Sequence, residues 1–437
     1  MDPNTTDISG EFEVITESSI KRADDDDFLL SNNLINNQRL FPISFQLAGL
    51  PNSSSLSFTA PLKSFANSLY YNYLPSTTST KLNPFLLKSF ESALPLYLFN
   101  TKFSEDETLP NGFICHNDVN KLHASFLNEL STLILFTYRT NIHTANNVFD
   151  SDCGWGCTIR VCQMMLAKGI LNCKIHQHKM SHNSTITQEH VTSLIRETLL
   201  LFYDNDIPVH CCEGTNEYKH VLSLVRGSGA TAVTPVFSIK RICAVTNCYK
   251  RYTSSQLVID ALAKISEQYL QSSLKIIQVE STDISQQYLH STFFDVNSHT
   301  CHMGIVFITF RFSFFVDQRK AQQTTGAYIR GIFERMRNTI GFVSGSSNRA
   351  YYFIGVSGDG KDLVYVDPHF TQKAAALPAV AGGDISSYVV RSLYRISPKQ
   401  ISSFIQLGIL IKNENDYKTL ISNLEELSKC WEFICLK

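Results

Sequence analysis

Asp152-Cys153-Gly154-Trp155-Gly156-Cys157-Thr158-Ile159-Arg160 is the stretch on which the reading of this chain turns. After it, Ile159, Val161, Met164, Met165, Leu166 and Ile170 recur at helix-compatible spacing, which predicts a helix beginning at Cys157. Gly154 and Gly156 permit a tight turn into that helix. A thiol in the first helical turn lies beside unsatisfied backbone N–H groups and the positive end of the helix dipole, which favour its thiolate. A lowered thiol pKa is what a nucleophilic cysteine requires. The same N–H groups could hold the oxyanion of a tetrahedral intermediate. The competing reading of Cys157 is a buried structural thiol, because free cysteine is often buried.

A second segment supplies the partners that such a nucleophile needs. Asp362-Leu363-Val364-Tyr365-Val366 reads as a strand and runs into Asp367-Pro368-His369. Positions i and i+2 of a strand share a face, which makes Asp367 and His369 neighbours. A carboxylate beside an imidazole fixes its tautomer and stabilises its protonated form. Pro368 marks a strand end or an edge, and the alternative reading of the motif is a surface turn. Thiol, imidazole and carboxylate are the three parts of a cysteine hydrolase.

With these residues in view, the chain resembles the autophagins, papain-like cysteine peptidases that act on the ubiquitin-like modifier of autophagy. The resemblance is carried by Asp152 to Cys157 with Arg160 and Gln163, by Phe136-Thr137-Tyr138-Arg139, and by Tyr351-Tyr352-Phe353-Ile354-Gly355 leading into Asp367-Pro368-His369-Phe370-Thr371-Gln372. A looser likeness runs from about Pro95 to the C-terminus. The resemblance implies a triad of Cys157, His369 and Asp367, with the Tyr138 hydroxyl near the oxyanion and Trp155 at the substrate. It implies cleavage after the C-terminal glycine of the modifier in its precursor, and release of the modifier from its lipid amine. Both are acyl transfers through a thioester, and no cofactor or metal is expected. The implied partners are the modifier, free and lipid-conjugated, and a transient membrane surface met through the lipidated form. The chain is expected to be monomeric.

The chain departs from the autophagin pattern where that family carries a tryptophan and a proline as a gate over the substrate's tail. Here the corresponding stretches read Lys250-Arg251-Tyr252-Thr253-Ser254-Ser255 and Ser344-Gly345-Ser346-Ser347-Asn348. A gate must therefore be built differently, with Tyr252 the candidate. A chain that binds the modifier without cleaving it, and a papain-like enzyme of another specificity, are the alternative readings.

Composition bounds the rest. The 437 residues carry a net charge of −1, with nothing that points to nucleic acid. The opening residues are acidic and polar and lack a signal-peptide pattern. The twelve cysteines are then expected as reduced thiols in a cytoplasmic protein. The apolar run Met303 to Val316 contains Arg311, is too short to span a membrane and reads as a buried strand. His210, Cys211, Cys212, Cys243 and Cys248 lack the paired two-residue gaps of a structural zinc site. A regulatory disulfide between Cys153 and Cys157 depends on whether the turn brings the two sulfurs together.

Along the chain, residues 1–60 read as a disordered acidic and polar tail. Residues 61–94 read as a linker with a possible helix at Leu62–Tyr73. Residues 95–437 read as the peptidase domain, with an insertion near 204–234 read as a loop with one helix. In the tail, Glu11-Phe12-Glu13-Val14-Ile15-Thr16-Glu17 resembles a short motif that docks on the modifier by strand addition, with Phe12 and Ile15 filling two pockets. The expected fold class is α+β, with helices packed on a largely antiparallel sheet. Helices are predicted over His123–Tyr138, Thr187–Phe202, Ser255–Leu270 and Asp416–Lys429. Strands are predicted over Pro95–Phe99, Lys275–Glu280, Gly304–Phe315, Ala350–Ser357, Lys361–Val366, Leu407–Ile411 and, as a closing strand, Trp431–Leu436.

Overall fold

The computed structural model describes residues 96–437, apart from residue 100 and the stretches 105–113, 116–118, 144–148, 183–185, 215, 226–228, 271–273, 296–299, 313–317 and 376–383. The expected tail, the linker helix and the Phe12–Ile15 motif lie outside the described residues.

The principal sheet is built from β1 (Leu96–Leu98), β2 (Thr101–Ser104), β3 (Ile114–Cys115), β5 (Lys275–Glu280), β6 (Gly304–Arg311), β7 (Thr339–Ser346), β8 (Arg349–Ser357), β9 (Leu363–Val366), β11 (Tyr394–Ile396) and β12 (Phe404–Ile411). Its order is β3-β2-β1-β8-β7-β12-β6-β5, with β9 and β11 branching from β8. Every ladder is antiparallel except β5/β6 and β2/β3. A separate two-stranded parallel ladder joins β4 (Tyr138–Thr140) to β10 (Thr371–Lys373).

Both faces of the sheet are covered, so its central strands are apolar at successive positions. In β6, Ile305 and Phe307 pack on one side while Val306, Ile308 and Phe310 pack on the other. The first side carries α2 (Cys157–His182), α3 (Gln188–Phe202), α4 (Ile239–Thr246) and α5 (Ser255–Leu270). The second side carries α6 (Gln286–Phe293), α7 (Gln318–Arg335) and α8 (Glu414–Cys430), through residues such as Leu289, Ile332 and Leu424. Deleting one such buried Leu or Ile side chain to Ala costs about 2–5 kcal/mol. The observed fold class is the expected one: α+β, with helices on a mostly antiparallel sheet.

Several elements fall where the sequence places them. α3 is capped by Thr187, whose hydroxyl accepts from His190 N. α5 and β5 span the predicted residues. Others differ for identifiable reasons. The helix predicted to run to Tyr138 is α1 (Val119–Ser131). Ser131 and Thr132 turn their hydroxyls back onto the carbonyls of Asn128 and Glu129, and Leu135 N then donates to Tyr388 O. Tyr138 is thereby delivered to a strand, its register set by Thr371. β6 stops at Arg311, short of Phe315, because its neighbour β12 starts at Phe404, opposite Arg311. Trp431–Leu436 is not a strand. Trp431 caps α8, and beyond it Cys435 and Lys437 exchange backbone hydrogen bonds with Ser281, Ile284 and Gln286 around a bridge between Ile284 and Leu436.

Residues 204–234 are more ordered than a loop with one helix. Ile207–Pro208 pairs with Ala232–Val233, and a helical turn Val209–Cys212 and a helix Lys219–Val225 lie between. Ile207, Cys212 and Tyr218 are fully buried in the core, and the Tyr218 hydroxyl donates to Leu200 O at 2.8 Å.

Candidate active site

The Gly-Trp-Gly-Cys turn uses its two glycines for different reasons. Gly154 has φ +85°, a left-handed conformation that side chains rarely adopt. Gly156 is required by space: a Cβ there would lie 2.5 Å from Asp152 Oδ2. The main-chain N–H groups of Trp155 and Gly156 both donate to Asp152 O, at 3.3 and 2.9 Å. Cys157 is then the first residue of α2, where the leading N–H groups have no acceptor within the helix. It is buried, yet it lines a cleft of about 770 Å³ together with Tyr252, Ser346, Arg349 and Ala350.

Asp367 and His369 do meet, by a different route from a shared strand face. β9 ends at Val366, and in the irregular segment that follows the Asp367 side chain closes a turn of its own onto the His369 N–H. One carboxylate oxygen of Asp367 accepts both from the His369 backbone N–H at 2.9 Å and from ring Nδ1 at 2.5 Å. Orienting the ring and seating the turn are one event. The imidazole is gripped edge-on by two aromatic rings, Tyr138 at 5.5 Å and Tyr351 at 5.2 Å between centroids. Tyr138 reaches it because Tyr138 N donates to Pro368 O at 3.1 Å, continuing the β4/β10 ladder.

The electrostatics of this group point one way. Burial would push the Cys157 thiol up. Interaction with His369, the Ala350 backbone N–H and the Tyr138 hydroxyl outweigh burial, and the thiol pKa lies below its ordinary value. For His369, burial favours the neutral ring, but Asp367 and Cys157 together raise its pKa. The shifts are reciprocal and favour a thiolate–imidazolium pair. His369 Nε2 is buried and lacks a hydrogen bond of strict geometry, a looseness common in catalytic groups before substrate binds. The Tyr138 hydroxyl is raised far above its normal range, first by burial and then by the sulfur, so it stays a donor.

The remaining expected residues are distributed unevenly. Tyr252 is 67% exposed and lines the cleft. Trp155 is only 7% exposed and is not among the cleft's lining residues. Its Nε1 donates to Ser151 O at 3.1 Å and its ring meets Phe149 edge-on at 5.2 Å, so it props the turn from behind. Cys153 is exposed, a free thiol whose sulfur is 3.3 Å from the Thr371 hydroxyl. Among the described residues, no three or more His, Cys, Asp or Glu side chains are grouped to hold a metal. Cys243 and Cys248, considered above for zinc, form a buried thiol–thiol contact at 3.6 Å. No helix among the described residues is long and apolar enough to cross a membrane.

Ala350 and Asp204 escaped sequence reasoning, and Tyr351 entered it only through the family resemblance, with no role in the site. Tyr351 and Ala350 sit on β8, whose run of apolar residues reads equally well as plain core. Asp204 has no local signal at all, yet with Asp152 it encloses the fully buried Arg160, at 2.7 and 2.6 Å.

Comparisons with known proteins place the chain among cysteine peptidases. The model of the Peptidase C54 catalytic domain matches residues 123–423. Cysteine protease ATG4A of Mus musculus is 23% identical over 318 residues, covering 69% of this chain and 74% of that protein. ATG4A of Gallus gallus is 25% identical, over 70% of this chain and 80% of that protein. The probable cysteine protease ATG4 of Cryphonectria parasitica is 24% identical, over 79% and 73%. The domain match extends from α1, ahead of the thiol, to α8, beyond the imidazole, and takes in more than half of the molecule; the chain belongs to the Peptidase C54 family of papain-like cysteine peptidases.

Proposed function

We propose that this chain is a cytoplasmic, monomeric peptidase that cleaves after the C-terminal glycine of a ubiquitin-like autophagy modifier, in its precursor and in its lipid-conjugated form. The observation that carries the mechanism is the grouping of His369, Asp367 and Tyr138 around Cys157, the member of the four that lines the cleft. The Cys157 thiolate attacks the glycyl carbonyl. The oxyanion is met by the Tyr138 hydroxyl and the N–H groups at the start of α2. Collapse expels the amine, which takes its proton from His369, and leaves a thioester. Water then attacks with His369 as base, releasing the modifier and regenerating the thiol.

The gate over the substrate's tail is assigned to two facing pieces of the cleft wall. One is Tyr252. The other is the β7–β8 turn, where Ser347 and Asn348 both hold positive φ, 48° and 61°. Two successive positive φ values are what a two-residue hairpin loop between paired strands requires. The Phe12–Ile15 motif is assigned to a second, non-catalytic contact with the modifier.

The test is incubation with a modifier precursor carrying a C-terminal extension, and with the modifier conjugated to phosphatidylethanolamine in liposomes, read by mass spectrometry. Cleavage at the glycine that disappears in Cys157→Ala is expected. An intact precursor, or equal cleavage of a ubiquitin fusion, overturns the substrate assignment. A double substitution of Phe12 and Ile15 to Ala should weaken capture of the modifier by the Cys157→Ala chain, and equal capture removes the motif from the account.

A further inference from the structure

Asp152 has no place in the triad, is fully buried and is absent from the cleft lining, yet the site is assembled around it. Oδ1 accepts from the backbone N–H of Arg139 at 2.6 Å, the residue after Tyr138. Oδ2 accepts from Arg160 Nε at 2.6 Å, on the first turn of the helix that Cys157 begins. Its main-chain carbonyl receives the N–H groups of Trp155 and Gly156, and its own N–H donates to Arg139 O at 3.3 Å. The contact of Gly156 with this carboxylate leaves no room for a methyl group. A single residue thus binds the strand that carries the Tyr138 hydroxyl to the turn that carries the Cys157 sulfur.

We propose that Asp152 is a positioning residue that sets the spacing between the Tyr138 hydroxyl and the Cys157 sulfur, and so acts on turnover through Tyr138. This rests on the peptidase reading above, in which Tyr138 serves the oxyanion. Arg160, Asp204, Cys243 and Tyr138 are the charged and titratable groups facing Asp152; His369, Tyr138, Tyr351 and Cys162 are those facing Cys157.

Asp152→Asn keeps the shape but sets an amide against Arg160. Gly156→Ala keeps the carboxylate and crowds it. Each is expected to lower kcat by about tenfold or more, up to the loss caused by Tyr138→Phe, with KM nearly unchanged. Combined with Tyr138→Phe, neither should cost much further, because the hydroxyl has already been lost to catalysis.

A readout independent of substrate is the pH profile of Cys157 alkylation by iodoacetamide. Removing a nearby negative charge alone would ease thiolate formation and move the profile of Asp152→Asn to lower pH. Loss of the Tyr138 donor moves it to higher pH. We expect the upward shift, and none beyond it in the double variant. A downward or absent shift, independent multiplication with Tyr138→Phe, or a rise in KM at constant kcat overturns the proposal. If Asp152→Asn fails to fold, Gly156→Ala carries the same measurements. A wild-type chain that does not cleave the precursor would refute the substrate assignment, while the alkylation profile would still test Asp152.

Discussion

The ring of Tyr138 stands edge-on to that of His369, 5.5 Å between centroids, and its hydroxyl interacts with the Cys157 sulfur. One side chain therefore braces the candidate base and offers a proton donor at the nucleophile. Tyr138→Phe keeps the brace and removes the donor. Turnover should fall by ~10²–10³ with KM little changed. A stopped assay with the modifier precursor measures it; an unchanged kcat would show that the hydroxyl serves no oxyanion.

Cys157→Ala should abolish cleavage while far-UV circular dichroism stays as in the wild type. His369→Ala should cost nearly as much, because members of a triad act as a unit. Asp367→Ala should cost less, as the carboxylate orients the ring without transferring a proton. Steady-state kinetics of the three variants rank them, and a silent Asp367→Ala would contradict the role given to the 2.5 Å contact with Nδ1.

The pH dependence follows from the signs of the two shifts. The thiol is lowered and the imidazole raised, so the ion pair forms below the ordinary thiol range of about 8.5 and persists above the ordinary imidazole range of about 6.5. Asp367→Asn removes a contact that raises His369. The upper limb should fall, while the lower limb, set by the thiol beside the protonated ring, is not raised, so the active window narrows from its alkaline side. The bell-shaped profile of kcat/KM reports the two limbs as properties of the pair. A window of unchanged width would deny Asp367 its electrostatic part.

Arg160→Leu leaves the carboxylates of Asp152 and Asp204 buried without their counter-ion. Breaking a buried ion pair in this way costs about 3–5 kcal/mol. Thermal or urea unfolding should show the loss, and adding Asp204→Asn should restore part of it. A variant as stable as the wild type would mean that the cluster is not held as an ion triad.

Tyr252→Ala alters the rim of the cleft and nothing beneath it. Cleavage of the modifier precursor should suffer mainly in KM, while alkylation of Cys157 by iodoacetamide stays at its wild-type rate. Unaltered kinetics on the precursor would take Tyr252 out of the gate.

What was legible in the sequence was local. A turn with two glycines, an apolar helix behind it and an Asp-Pro-His ending a strand all signal their structure within about ten residues. The resemblance to a known family joined them across the chain. The extended path of Tyr138 was not legible, because its strand exists only by pairing with Thr371, more than two hundred residues away in sequence. The same holds for the Arg160 cluster, since Asp204 reaches it only after α3 has crossed the core. Asp367 and His369 were paired correctly for an incomplete reason: the neighbour relation comes from a side chain closing a turn, not from strand periodicity.

β12 lies between β7 and β6 and pairs with both, yet it spans residues 404–411 of a 437-residue chain. The strand that joins the two halves of the sheet is thus synthesised after every other strand in it. A growing chain carries Cys157, Asp367 and His369 before it carries the seam on which the strands beside them meet. A chain ending before Phe404 would hold all three residues and lack the strand on which β6 and β7 both pair.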